Sequence, residues 1–254
     1  MSESKNMPNS ESLESENEVI IEGELESTVN IYLAKAAIEE NAKLYGPLYK
    51  RLAVKHALNF ESRMLNEKPP ENIQELDAVV NYILANLNRY PRGHCALIYA
   101  ISKTESELQG HAGTSGSRRA AFSAMKNMLE SVGMLNNLIG ITEDIIEACK
   151  LFKAKMSGVF EARGMQVKKT EGIQKVRYVR GGGKNEAIIT YTNCPYKDTC
   201  RALLQEGVSR IVGGSVCINL ILGNAITEII TRKRFDYALE EFDKPDCKGR
   251  IFEV

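Results

Sequence analysis

The chain has 254 residues, 43% hydrophobic and 26% charged, with 33 basic and 33 acidic side chains that balance to a formal net charge of zero. This is the composition of an ordinary globular protein with enough apolar chain for a substantial core. No apolar run reaches the ~18 residues of a membrane span, and the first residues are acidic and polar rather than basic and apolar like a signal peptide, so a cytoplasmic protein without membrane association is expected.

Residues 1–27 hold eight glutamates against one lysine, which leaves the rest of the chain with seven excess positive charges. That segment is expected to be a disordered acidic tail. Nucleic acid is not indicated as a partner, because no aromatic-basic RNA motif accompanies the basic residues.

From Val29 the pattern becomes helical. Ile31, Ala34, Ile38, Ala42 and Tyr45 fall on one helix face, and Gly46-Pro47 breaks the run. Leu48, Leu52, Ala53 and His56 continue an amphipathic segment towards Leu65. After Pro69-Pro70, Asn72 and Glu75 are placed as a capping pair for a helix whose stripe is Ile73, Leu76, Val80, Ile83, Leu84 and Leu87; Pro91 closes it. An apolar helix from His94 to Leu108 follows. The glycine- and serine-rich stretch Gln109–Arg119 precedes a helix with Phe122, Met125, Met128, Leu129 and Val132 on its apolar side. Small residues before a helix N-terminus, with Arg118 and Arg119 at its opening, suggest an anion-binding site for a phosphate or carboxylate, although no nucleotide-binding P-loop pattern is present. A helix over Thr142–Ala162 carries Ile145, Cys149, Phe152, Met156 and Phe160 at helical spacing.

Past Gly164 the periodicity changes. Lys175–Arg180 and Glu186–Thr192 alternate as strands around Gly181-Gly182-Gly183, a hairpin signature. Helices are expected over Tyr196–Ile211 and Val216–Arg232, then strands over Phe235–Phe242 and Arg250–Val254. The fold class is therefore α+β: an acidic tail (1–27), a helical region (28–164), and a C-terminal antiparallel sheet packed against helices (165–254).

Six cysteines without a signal peptide do not suggest a secreted disulfide framework. Cys95 and Cys149 lie in apolar helical patterns and are expected to be core residues. Cys194, Cys200, Cys217 and Cys247, spaced C-x5-C-x16-C-x29-C, lie near strand ends and helix starts and are the expected metal-binding or thiol-reactive set. Four thiolates would suit zinc or an iron–sulfur cluster. Alternatively Cys200, at a helix start, would be acidified by the helix dipole and act as an activated thiol in a small-molecule reductase or hydrolase. The histidines His56, His94 and His111 lack the spacing of a helical zinc site, and no nucleophile-elbow motif is present.

The last third of the chain resembles the 4-vinyl-reductase-type, hydrocarbon-binding domain, a relative of the TRAPP-subunit fold. The resemblance rests on the hairpin Val176–Thr192, the run Asn193-Cys194-Pro195-Tyr196, the helix with Cys217 and Gly223, and the ending Asp243-Lys244-Pro245-Asp246-Cys247-Lys248-Gly249-Arg250-Ile251-Phe252. It implies a cysteine-ligated metal to which Cys217 and Cys247 would contribute, or paired redox thiols. Leu239 stands where a further family cysteine is expected, and Asp236 where a glutamate often sits. It also implies an apolar pocket for a small apolar or aromatic ligand, for which the candidate lining is Phe152, Met156, Phe160, Ile218, Leu222 and Ile226. The expected function is a ligand- or redox-responsive binding protein rather than an enzyme, with the helical region supplying a homodimer contact; a TRAPP-like assembly role, with the cysteines merely packing, is a further alternative.

Overall fold

The structure, a computed structural model, describes residues 16–109, 115–131, 133, 135–156, 169–208, 217–242 and 246–254. Five strands form one antiparallel sheet: β1 (Glu18–Glu26), β2 (Lys169–Arg180), β3 (Glu186–Thr192), β4 (Phe235–Glu241) and β5 (Cys247–Glu253), in the order β1-β2-β3-β5-β4. Eight α-helices among the described residues accompany it: α1 (Ser27–Tyr45), α2 (Pro47–Leu65), α3 (Leu76–Asn86), α4 (His94–Gln109), α5 (Ser115–Ser131), α6 (Ile145–Met156), α7 (Lys197–Gln205) and α8 (Ile218–Thr231). This is the expected α+β class.

Pleating sorts the sheet's residues between two faces. Val176, Tyr191 and Cys247 are aligned across β2, β3 and β5, and the next row places Tyr178, Ile189, Gly249 and Leu239 side by side. These rows face the helices. The opposite face carries cross-strand ion pairs, including Lys175–Glu22, Arg177–Glu18, Arg250–Glu186 and Arg250–Glu240, as a solvated antiparallel face allows. Gly249 is required by close packing. A Cβ there would lie 2.7 Å from Leu220 Cδ1 and 2.8 Å from the Ala238 carbonyl oxygen.

Residues 18–26, expected to belong to the disordered tail, instead form β1 on the sheet edge. Val19 pairs with Tyr178 and is fully buried, and Ile21 pairs with Val176. Alternation of Val19 and Ile21 with Glu18 and Glu22 is a strand pattern that the acidic composition masks. Residues 1–15 lie outside the described residues.

Gly46 separates α1 from α2 with φ 83°, a conformation that costs glycine little, and Pro47 starts the new helix where its missing N–H is harmless. The pairing of Asn72 with Glu75 as a capping box is not formed. Glu75 itself is the N-cap of α3 and makes no side-chain cap bond. Helix α7 is shorter than the sequence suggests; it ends at Gln205, and Gly207 adopts φ 68° just beyond. Strand β5 begins earlier than expected, at Cys247, so that cysteine lies in the sheet rather than in the preceding turn.

One hydrophobic cluster runs from α1–α4 into the inner face of the sheet, and a second joins α5, α6 and α8. Packing thus crosses the sequence boundary near residue 164. Polar ties reinforce it: Arg92 pairs with Asp198 at 3.0 Å, and Glu206 accepts from Tyr99 at 2.7 Å and pairs with Lys103 at 3.0 Å. Among the described residues, no helix is long and apolar enough to cross a membrane.

Candidate functional site

The segment that leaves β3 is the local organiser. Asn193 takes φ 53°, turning the chain into Cys194-Pro195-Tyr196 before α7 starts. Helix α4 grips this turn: Cys95 donates its thiol to the Pro195 carbonyl at 3.3 Å, and Thr199 donates its hydroxyl to the Cys95 carbonyl at 3.2 Å. The Tyr196 side chain runs inward, edge-on to His94 with ring centroids 5.3 Å apart, and its hydroxyl donates to Asn30 Oδ1 at 2.7 Å. Tyr196 is 2% exposed.

The late cysteines come from four separate elements and lie near enough for their charges to influence one another. Cys194 ends the turn after β3, Cys200 lies within α7, Cys217 is the N-cap of α8, and Cys247 opens β5. Asn219 donates its side-chain amide to Cys194 Sγ at 3.2 Å. Burial, then Cys217, raises the Cys194 thiol above its ordinary range; burial, then Cys217 and Cys194, does the same to Cys200. Cys217 is pushed up to about 12 by burial, against the pull of the Leu220 backbone N–H. Neighbouring thiols therefore share an electrostatic environment that opposes ionisation.

That arrangement does not supply a ligand set. Among the described residues, no group of three or more histidine, cysteine, aspartate or glutamate side chains is placed to hold a metal ion. As placed, the described residues do not form a ligand set for zinc or an iron–sulfur cluster. Cys200, half-buried in α7, has its thiol raised by burial and by Cys217 and Cys194 rather than acidified as its place near a helix start suggested. Cys95 and Cys149 are buried core cysteines, pushed up to about 11 and about 12 by burial.

Beside the Tyr196 ring an apolar pocket opens between α1, α4, α5 and α8. Its cavity volume is about 40 Å³, and only with the solvent-open mouth counted does the empty space reach about 560 Å³. Alanines keep it open, with Ala34 and Ala37 on α1 facing Ala121 and Ala124 on α5; Leu33, Ile98, Ile101, Ile221 and Leu222 complete the apolar wall. Its polar wall residues are Asn30, Asn41 and the Tyr196 hydroxyl. Asn41 is fully buried. Its Nδ2 donates to the Tyr49 hydroxyl at 2.9 Å and to Glu105 Oε1 at 3.4 Å, but its carbonyl Oδ1 has no donor. An enclosed acceptor left without a donor costs about 1–3 kcal/mol.

Of the expected pocket residues whose side chains are described, only Leu222 lines this space. Phe152 and Ile226 pack on the second hydrophobic cluster as core residues, because α6 lies against α8 rather than along the pocket. The side chains of Met156 and Ile218, and all of Phe160, lie outside the described residues. Arg118 and Arg119 begin α5. Arg118 is tied to Asp236 and lies 4.4 Å over the Tyr237 ring, and both arginines line a separate groove. His56 bonds to Glu107 at 3.0 Å, and His94 is buried; His111 lies outside the described residues.

Sequence reading missed Asn41 and Tyr196. Asn41 had a signal, since a polar residue three positions after Ile38 sits on an otherwise apolar helix stripe. Tyr196 had none beyond its place after Cys-Pro.

No protein-family model, no curated protein and no solved structure matches the chain.

Proposed function

We propose that the protein binds a small molecule in the α1–α4–α5–α8 pocket, and that the ligand combines an apolar body with one hydrogen-bond donor. The observation that carries this reading is the Asn41 carbonyl: a buried acceptor, unsatisfied, in the wall of a pocket otherwise built from alanine, leucine and isoleucine. Ligand sites commonly pair such apolar walls with a few placed polar groups. A hydroxyl or N–H seated against Oδ1 recovers the lost hydrogen bond, and a purely apolar molecule does not. The resemblance to hydrocarbon-binding domains implies a ligand of the same general kind. The thiol cluster serves in this reading as the packed support that positions Tyr196 at the pocket.

Phenol and toluene, nearly equal in shape, test the proposal by calorimetry. Phenol should bind about tenfold more tightly than toluene, a difference of ~1.4 kcal/mol from one added hydrogen bond. In Asn41→Leu the preference should vanish. Equal binding of the two probes by the native protein, or binding of neither, would sink the reading.

A further inference from the structure

On the far side of the α5–α8 contact lies a second, larger groove, open to solvent, with a volume of about 670 Å³. Its cations are distributed unusually. Several arginines elsewhere on the surface meet carboxylates, Arg63 with Glu206, Arg89 with Glu67 and Arg180 with Asp144, whereas a lone exposed Arg51 does not among the described residues. In the groove, Arg119, Arg232 and Arg234 are exposed and form no ion pair among the described residues. The nearby acids are already engaged, Asp236 by Arg118 and Glu228 by the Phe235 backbone N–H at 3.0 Å.

Three further features give this groove the character of a site. Arg232, the C-cap of α8 at φ 57°, lays its guanidinium stem over Gly140, where even a Cβ would come within 2.9 Å of Nε, so the side chain is seated rather than loose. The opposite wall is α5, which enters the lining at Arg118, the fourth residue of a 17-residue helix and still near its positive end. Two turns before Arg232 on α8, Asn224 also lines the groove. It is 4% exposed, and its Oδ1 has no hydrogen-bond partner. The C-terminal dipole of α8 accounts for one adjacent cation. It does not account for three, nor for a buried acceptor among them.

We infer that this groove is an anion site for a phosphate monoester that also carries a hydroxyl. Guanidinium groups of Arg119, Arg232 and Arg234 match a dianionic phosphate through forked hydrogen bonds. The hydroxyl donates to Asn224 Oδ1, and the carbon body lies along Phe122 and Ile229. The site is separate from the Asn41 pocket, and neither reading depends on the other.

Glycerol 3-phosphate and adenosine monophosphate are the probes, titrated into the full chain by calorimetry beside inorganic phosphate, glycerol and adenosine. At least one phosphate ester should bind ten times or more tightly than both inorganic phosphate and its own dephosphorylated form. The exposed-site double variant Arg232→Gln/Arg234→Gln, expected to fold normally, should weaken that ester at least tenfold and leave phenol binding unchanged. Asn224→Leu should bring the ester's affinity close to that of inorganic phosphate. The inference fails if neither ester binds, if inorganic phosphate binds as well as the esters, or if the arginine variant binds the ester undiminished.

Discussion

The hydroxyl of Tyr196 and the side-chain oxygen of Asn30 meet at 2.7 Å, joining the turn after β3 to the first helix across 166 residues of sequence. Both residues also line the apolar pocket. The bond therefore couples the seating of the cysteine-bearing turn to the shape of the proposed ligand site.

Tyr196→Phe tests that coupling. It removes the hydroxyl and leaves the ring against His94. A loss of about 1–2 kcal/mol in urea-denaturation stability is expected, together with weaker phenol binding. Unchanged stability and unchanged binding would show that the bond contributes to neither.

Closing the pocket should separate binding from folding. Ala121→Leu adds three carbons where α5 faces α1, at an overpacking cost of about 1–3 kcal/mol. The variant should stay folded by circular dichroism and lose phenol binding. A folded variant that binds phenol normally would place the ligand elsewhere.

Glu61 is fully buried, and neither of its carboxylate oxygens has a hydrogen-bond partner. Burial pushes its carboxyl up to about 8. The unfolded chain gives up this proton near pH 4.5 and the folded chain only near 8, so between those values the unfolded state binds fewer protons and stability falls as pH rises. Glu61→Gln should flatten the decline between pH 6.5 and 8, read as the change in unfolding free energy across a pH series. An identical slope in both proteins would show that Glu61 is already ionised in the fold.

His94 acts at the other end of the scale. Burial, helped by Arg92, lowers its imidazole to about 3, and neither ring nitrogen has a hydrogen-bond partner. The unfolded chain takes up this proton near pH 6.5, so stability falls as pH drops from there towards 3. His94→Phe keeps an aromatic ring beside Tyr196 and should make the protein relatively more stable at pH 4 than at pH 7, measured against the native chain at each pH. A difference that does not change with pH would contradict this.

The buried thiols should be slow to alkylate. Because burial holds Cys95, Cys194 and Cys217 above their ordinary range, iodoacetamide at pH 7.5 should modify them at least a hundredfold more slowly in the native protein than in urea. A single native thiol reacting at the unfolded rate would restore the activated-cysteine reading.

Much of the fold was legible because its elements carry their own periodicity. The stripe of Ile31, Ala34 and Ile38 identifies α1, and the alternation around Gly181-Gly182-Gly183 identifies the β2–β3 hairpin. Strand β1 was obscured because glutamates on its solvent side dominate the composition, while its pairing with β2 depends on residues about 160 positions away. The site was less legible for a related reason. Cysteine spacing suggested that several thiols could converge, but spacing does not report their surroundings, and burial raises Cys194 and Cys200 above the ordinary thiol range. The pocket consists of alanines whose significance is the space beside them, which appears only when α1 meets α5.

The edge strand also sets an order of events for a chain emerging from the ribosome. Val19 leaves the exit tunnel long before Tyr178, its partner in the sheet, has been synthesised. Until then the first strand has no template, and its valine and isoleucines remain in water among repelling glutamates that discourage premature association. Completion of the sheet must wait for the last quarter of the polypeptide, so a truncated translation product would retain helices but leave its leading segment unpaired.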